Sequence, residues 1–285
     1  MTEIAATGLE TAPAPTPVRR EVIYRHRWVV RITHWINLAC IVVLLMTGLQ
    51  ILNAHPALYW GQYGADADRP FIEMRADDWR KPHPRGLTVI DGYAIDTTGV
   101  LGVSGGEIRG FPAWATWPGQ RNLAVGRNWH FFMAWLFVTN GLVYLLSGAI
   151  NGHFRRDLAP TRAQLKPRHI WADIVDHLKL KHPTGEAAKS YNVLQKFAYL
   201  AVVFVFLPGM VLTGLTMSPG FDAFFPWLLD LFGGRQSART LHFIFANLIV
   251  LFVIVHVTEV FIAGAANEIG SMITGRYSIK TGDHA

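Results

Sequence analysis

Hydrophobic positions along this chain gather into four long blocks. The first covers about Trp35 to Leu52 (WINLACIVVLLMTGLQIL), the second Phe131 to Ile150, the third Phe197 to Met217 and the fourth Leu241 to Ala265. Each approaches the ~20 residues that cross a hydrocarbon core, and in lipid an isolated segment can satisfy its backbone only as a helix. The pattern predicts an all-α fold, an integral membrane four-helix bundle. Pro208-Gly209 inside the third block predicts a kink and a freed carbonyl.

The intervening segments differ in character. Residues 1–20 read as a disordered N-terminal tail: the first 18 are rich in Ala, Pro and Thr and lack the basic start and apolar stretch of a signal peptide. Residues 21–275 make up the bundle domain, and 276–285 a C-terminal tail. Within the domain, 53–127 is a long connection rich in Gly, Pro and Trp. The 151–196 connection is basic (Arg155, Arg156, Arg162, Lys166, Arg168, Lys179, Lys181, Lys189, Lys196). The short 218–240 connection holds FFPWLLDLF, an apolar patch suited to lying along the membrane interface. There is no internal repeat.

Composition agrees with a membrane protein. Hydrophobic residues make up 51% and charged ones 16%, against roughly 25% charged in a soluble domain. The net charge of +6 would suit nucleic acid, but the map of charges points to topology. Arg19, Arg20, Arg25, Arg27 and Arg31 precede the first span and the basic connection follows the second, which places both termini and 151–196 in the cytoplasm. The 53–127 loop carries eight basic residues offset by eight acidic ones, and long loops cross largely regardless of charge. That loop and 218–240 are therefore expected outside, and no nucleic-acid partner is expected.

Cys40 is the single cysteine, which excludes a disulfide framework, a thiolate-held cluster and covalent CxxCH haem attachment. Metal ligands would have to come from the twelve histidines. Four of these, His34, His130, His242 and His256, fall within or at the start of a span, where an ionisable group is costly and usually functional. One such histidine alone would read equally well as an interhelical hydrogen bond.

Their relative positions say more. His242 and His256 are 14 residues apart, just under four turns, so both project from nearly one face with ~21 Å of helix between them. That spacing would hang one porphyrin near each membrane surface. Chain direction then pairs His130 with His242 near the outer face and His34 with His256 near the inner face. Each pair is expected to supply axial nitrogens to one haem iron. Gly48, Gly141 and Gly148 would leave room beside the haems or simply let helices pack closely. Trp28, Trp35, Trp129 and Trp135 read as interfacial anchors.

RITHW opening the first span, GRNWHFFMAW opening the second and TLHFIFANLIVLFVIVHV in the fourth resemble the bacterial dihaem cytochrome b subunits. These are the membrane subunits of respiratory formate dehydrogenases, nickel-iron hydrogenases and thiosulfate reductases. The likeness covers about residues 24–275. It implies two haem b groups, with the fourth-helix pair ligating both and the first two helices supplying the second ligands. It also implies quinone chemistry and an extracytoplasmic dehydrogenase or reductase partner, of molybdenum- or nickel-containing type. The bacterial inner membrane is the implied location. The 53–127 loop exceeds what joining two helices requires, which leaves the partner's identity open.

The chain is thus expected to carry electrons across the membrane between such a partner and the quinone pool, reducing quinone near the inner haem. Trp60, Trp114 and Trp117 would suit a docking platform, unless the loop merely caps the bundle. Glu259, His153 and Arg31 are the candidates for quinone and proton handling at the inner end. Glu259 would equally serve as a carboxylate paired with a loop lysine, and Arg31 as a topology signal or a propionate contact. The rival readings are a stand-alone quinone-linked oxidoreductase such as a superoxide oxidase, a quinol-oxidising subunit working in reverse, and a haem-free transporter or anchor.

Overall fold

The computed structural model describes residues 19–179 and 191–281. Four stretches among them are long and apolar enough to cross a membrane: Trp28–Leu52, Leu123–Ile150, Val193–Thr216 and Arg235–Thr274. The first and second are the single helices α1 and α2. Helix α3 (Pro167–Leu178) lies in the connection between the second and third spans. The third span is α4 (Val193–Ala201) followed by α5 (Leu207–Thr216), and two short helices, α6 (Pro219–Phe224) and α7 (Trp227–Leu231), lead into α8 (Arg235–Thr274).

Capping residues set several of these boundaries. The Asn122 side chain accepts from Val125 N at the start of α2, and Asn192 with Gln195 forms a capping box at the start of α4. The expected disturbance at Pro208 takes a specific form. Proline has no N–H for the carbonyl four residues back, and the turn before it, Val202–Phe206, widens to a π-helix. Just beyond, a Cβ on Gly209 would lie 2.7 Å from the Phe245 ring, so glycine lets α5 approach α8 closely. In α8 the backbone breaks at Gly264, whose φ of 108° suits only glycine.

The chain is not purely α-helical, which corrects the expectation of an all-α fold. Between α1 and α2 the long connection folds into a β module. Strands β2 (Ala57–Leu58), β3 (Ile72–Ala76), β4 (Gly86–Ile90) and β5 (Tyr93–Asp96) form an antiparallel meander, joined by a β6–β7 hairpin (Val103–Ser104 and Glu107–Ile108). The module is seated on the helix ends. Leu52 packs with Leu58, Met74 and Phe111, and Leu49 and Phe243 pack against that cluster. Asn53 accepts from Phe111 N at 2.7 Å, Gln50 donates to Gln120 O at 2.7 Å, and Thr240 donates to Tyr59 O at 2.6 Å. These polar links satisfy backbone groups that would otherwise be buried alone.

At the opposite end, β1 (Arg19–Tyr24) pairs antiparallel with β8 (Arg276–Thr281). Both segments thereby leave the tail regions assigned from sequence, at 19–20 and 276–281. Residues 1–18 of the expected N-terminal tail, 180–190 of the basic connection and 282–285 lie outside the described residues. Pairing of β1 with β8 puts both ends of the domain on the side of the bundle opposite the β module.

Candidate functional site

The four span histidines meet in two pairs at opposite ends of the bundle. On the terminal side, His34 of α1 faces His256 of α8 with ring centroids 6.3 Å apart. On the module side, His130 of α2 faces His242 of α8 at 6.4 Å. Helix α8 contributes to both because its two histidines share a face, and α1 and α2 each bring one partner to the matching level.

The gaps fit a metal between the rings. An imidazole nitrogen binds a metal at ~2.0–2.1 Å and lies ~1.1 Å from its ring centre, so two axial imidazoles on one iron hold their centroids ~6.2 Å apart. Among the described residues no three His, Cys, Asp or Glu side chains converge on one point. Two imidazoles at each level, if they bound a metal, would leave its remaining positions to a macrocycle.

Surroundings differ between the pairs. Nδ1 of His130 lies 3.0 Å from Thr47 Oγ1, and Nδ1 of His242 lies 3.0 Å from Thr213 Oγ1. A Cβ on Gly48 would meet His130 Cε1 at 3.5 Å, and one on Gly214 would meet His242 Cε1 at 3.3 Å. Each imidazole edge thus lies against a Thr-Gly step of the neighbouring helix. On the terminal side, His256 stacks on Phe252 at 5.7 Å, His34 meets Trp35 edge-on at 5.3 Å, and His34 Nδ1 is buried with no hydrogen-bond partner among the described residues. Between the two levels, Asn140 donates to Thr33 O at 2.8 Å and to Asn37 Oδ1 at 2.7 Å, tying α2 to α1.

The other candidates have specific partners. Arg31 NH2 donates to Ile273 O, and Trp35 Nε1 donates to Met272 O at 3.2 Å. One turn apart on α1, the two side chains satisfy carbonyls at the end of α8 that no helical N–H can reach. Glu259 pairs with His177 of α3 at 3.5 Å. His153 Nδ1 lies 2.7 Å from Asp157 Oδ2. Burial disfavours ionised Asp157, but hydrogen bonds from Arg156 and His153 outweigh it and hold the carboxyl below its ordinary range.

A residue not singled out from sequence also belongs to this end. Burial pushes the pKa of His26 down to about 4, with Arg25, His34, His153 and Arg31 adding to the effect. Below its ordinary value near 6.5 the unfolded chain takes up a proton that the folded chain refuses, so stability falls as pH drops from that value toward about 4. The His26→Gln variant is expected to lose less melting temperature than the parent between pH 7 and pH 4.5; equal losses would remove His26 from the account.

A family model for prokaryotic cytochrome b561 matches residues 25–275. The chain belongs to the prokaryotic cytochrome b561 family. It is 29% identical over 241 residues to a chain of Azospira oryzae named as a subunit, YedZ1, of a protein-methionine-sulfoxide reductase, covering 85% of this chain and 92% of that one. It is 26% identical over 196 residues to a chain of Cupriavidus necator named as a Ni/Fe-hydrogenase B-type cytochrome subunit, covering 64% of this chain and 80% of that one. No solved structure matches. As a cytochrome b561 the chain is a multi-pass membrane protein with b-type haem as its cofactor class and electron transport as its role.

Thr47 and Thr213 are the residues that reading the sequence missed. The available signal was a repeated Thr-Gly-Leu, at Thr47-Gly48-Leu49 and Thr213-Gly214-Leu215, near the module-side ends of the first and third spans.

Proposed function

We propose that this cytochrome b561 is a dihaem electron-transfer subunit joining an extracytoplasmic oxidoreductase to the quinone pool. The observation that carries the reading is the presence of two facing imidazole pairs at opposite ends of one bundle, both anchored on α8. His130 and His242 would hold the outer haem b, and His34 and His256 the inner one. Haem, when bound, supplies reversible one-electron chemistry at iron; the chain supplies ligands, spacing and a dry surround. Cytoplasmic termini and an extracytoplasmic β module are supported by the basic flanks of the first span and by the β1–β8 pairing, which keeps both domain ends on one side.

Both relatives are named as subunits, which supports a partner oxidoreductase over a solitary enzyme. The β module is the natural platform, with Trp114 and Trp79 each more than two-thirds exposed. At the inner end, converting quinone to quinol takes two electrons from the haem pair and two protons from the cytoplasm. His153 with Asp157 and Glu259 with His177 are placed to pass those protons. Arg31 holds the end of α8 through Ile273 O. The inner membrane of a bacterium is the implied setting.

Flow in the opposite direction is the second reading, favoured by the reductase named for the Azospira relative. Sealed vesicles of the full chain with the module outward separate the two. An impermeant external reductant is expected to convert a membrane-dissolved quinone to quinol and to make the lumen alkaline. Quinol oxidised by an impermeant external oxidant, with no reduction in the first direction, would reverse the assignment.

A further inference from the structure

We infer that Thr47 and Thr213 are positioning residues for the outer imidazole pair, fixing both rings in one tautomer and holding that haem at the lower of the two potentials. The inference rests on the ligand assignment proposed above. It begins with a hydrogen-bond count that leaves one solution. A threonine hydroxyl has a single proton to donate. Thr47 Oγ1 lies 2.7 Å from Val43 O, and Thr213 Oγ1 lies 2.6 Å from Gly209 O, each the back-bond to the carbonyl four residues earlier. With that proton committed, each hydroxyl can only accept at its second contact, 3.0 Å away on an imidazole Nδ1. Each ring also donates to a backbone carbonyl, His130 to that of Leu44 and His242 to that of Met210, and a carbonyl can only accept. Both Nδ1 atoms therefore carry hydrogen, shared between hydroxyl and carbonyl, which leaves the Nε2 lone pairs of His130 and His242 free for iron.

The two slots are built alike on different helices. Thr47 and Gly48 of α1 serve His130 of α2, while Thr213 and Gly214 of α5 serve His242 of α8. In each, threonine accepts from the ring's Nδ1–H and the following glycine leaves room for its Cε1 edge. The close approach of α5 to α8 at Gly209 brings Thr213 within reach. His34 has no such partner: its Nδ1 is buried without a hydrogen bond among the described residues.

This asymmetry has a redox consequence. An imidazole that donates its second N–H is a more basic ligand, and outer-shell hydrogen bonds of this kind tune the metal they surround. A more basic ligand favours the higher charge of oxidised iron. Both outer ligands are supported in this way, so the outer haem is set below the inner one and electrons descend from the module side to the terminal side.

The test is a redox titration of the purified full chain with Thr47→Val and Thr213→Val, alone and together. Valine keeps the shape and removes the hydroxyl acceptor, leaving each ring its backbone carbonyl alone. Each substitution is expected to keep both haems and to raise the reduced-to-oxidised ratio of the low-potential haem three- to ten-fold at fixed ambient potential, tenfold being 59 mV for one electron. The high-potential haem should not move. Thr→Ser at either site keeps a hydroxyl and is expected to restore the parent value. Unchanged potentials in the double variant, or equal movement of both haems, would overturn the inference. Should valine expel the haem, retention in the serine variant supports the hydroxyl's role, and loss in serine too refutes it. Failure of the underlying ligand assignment shows separately, as an outer haem that survives both His130→Ala and His242→Ala.

Discussion

His242→Ala is expected to leave a chain with one haem fewer than the parent, the remaining haem unaltered in its spectrum. The same haem should be missing from His130→Ala, because the two imidazoles stand 6.4 Å apart across one gap. A methyl group in place of either ring removes one of two axial nitrogens and leaves a hole of imidazole size in an otherwise apolar wall. His34→Ala and His256→Ala should instead remove the other haem, since their rings face each other at 6.3 Å. Added free imidazole is expected to enter the cavity of the alanine variants and return part of the lost absorbance. Pigment analysis per polypeptide checks this directly. Loss of different haems from His130→Ala and His242→Ala would mean that the pairs are wrongly drawn.

Arg109→Ala is expected to release the β module from the bundle while the spans stay folded. Arg109 is 5% exposed. Its Nε donates to Phe111 O at 2.6 Å, and a terminal nitrogen donates to Thr116 Oγ1 at 3.1 Å and Gly119 O at 3.2 Å. Glu107 lies 3.6 Å away as counter-charge. Truncation strands buried neutral acceptors without a donor, a defect of about 1–3 kcal/mol for each group left unsatisfied. The loss falls where Phe111 N also meets Asn53 and where Trp117 N bonds to Met46 O at 3.1 Å, so the whole seam opens together. Limited proteolysis should cut between residues 100 and 121 at least ten-fold faster, with helical circular dichroism almost unchanged. Protease resistance equal to the parent's would show that the seam does not hold the module.

The spans and the two histidine levels were legible in the sequence because both are written locally. A run of apolar residues declares a membrane helix without reference to the rest of the chain, and a 14-residue separation declares a shared face through helical period alone. Pro208 announced a disturbance, although only the structure shows that the preceding turn widens to absorb it. The β module was not legible. Its strands are two to five residues long, β5 is exposed throughout, and the register depends on partners far along the chain. The same holds for β1 and β8, which are joined across the full domain.

Side-chain partners were the hardest to foresee. Threonine in an apolar helix is ordinarily content to bond its own backbone, so Thr47 and Thr213 looked inert until the histidine rings were seen against them. Arg31 was placed on the correct side of the bundle, yet its partner is the carbonyl of Ile273, 242 residues later in the chain. Glu259 found a histidine on α3 that no helical spacing relates to it.

Two irons in one polypeptide, each between two imidazoles and at two depths, would give the chain a distinctive spectrum. The most direct measurement is a reduced-minus-oxidised absorption spectrum of the purified full chain with haem counted per polypeptide. Sharp bands of low-spin b-type haem, two equivalents per chain and two potentials are expected. A single equivalent, or a high-spin spectrum without a second axial nitrogen, would contradict the dihaem reading.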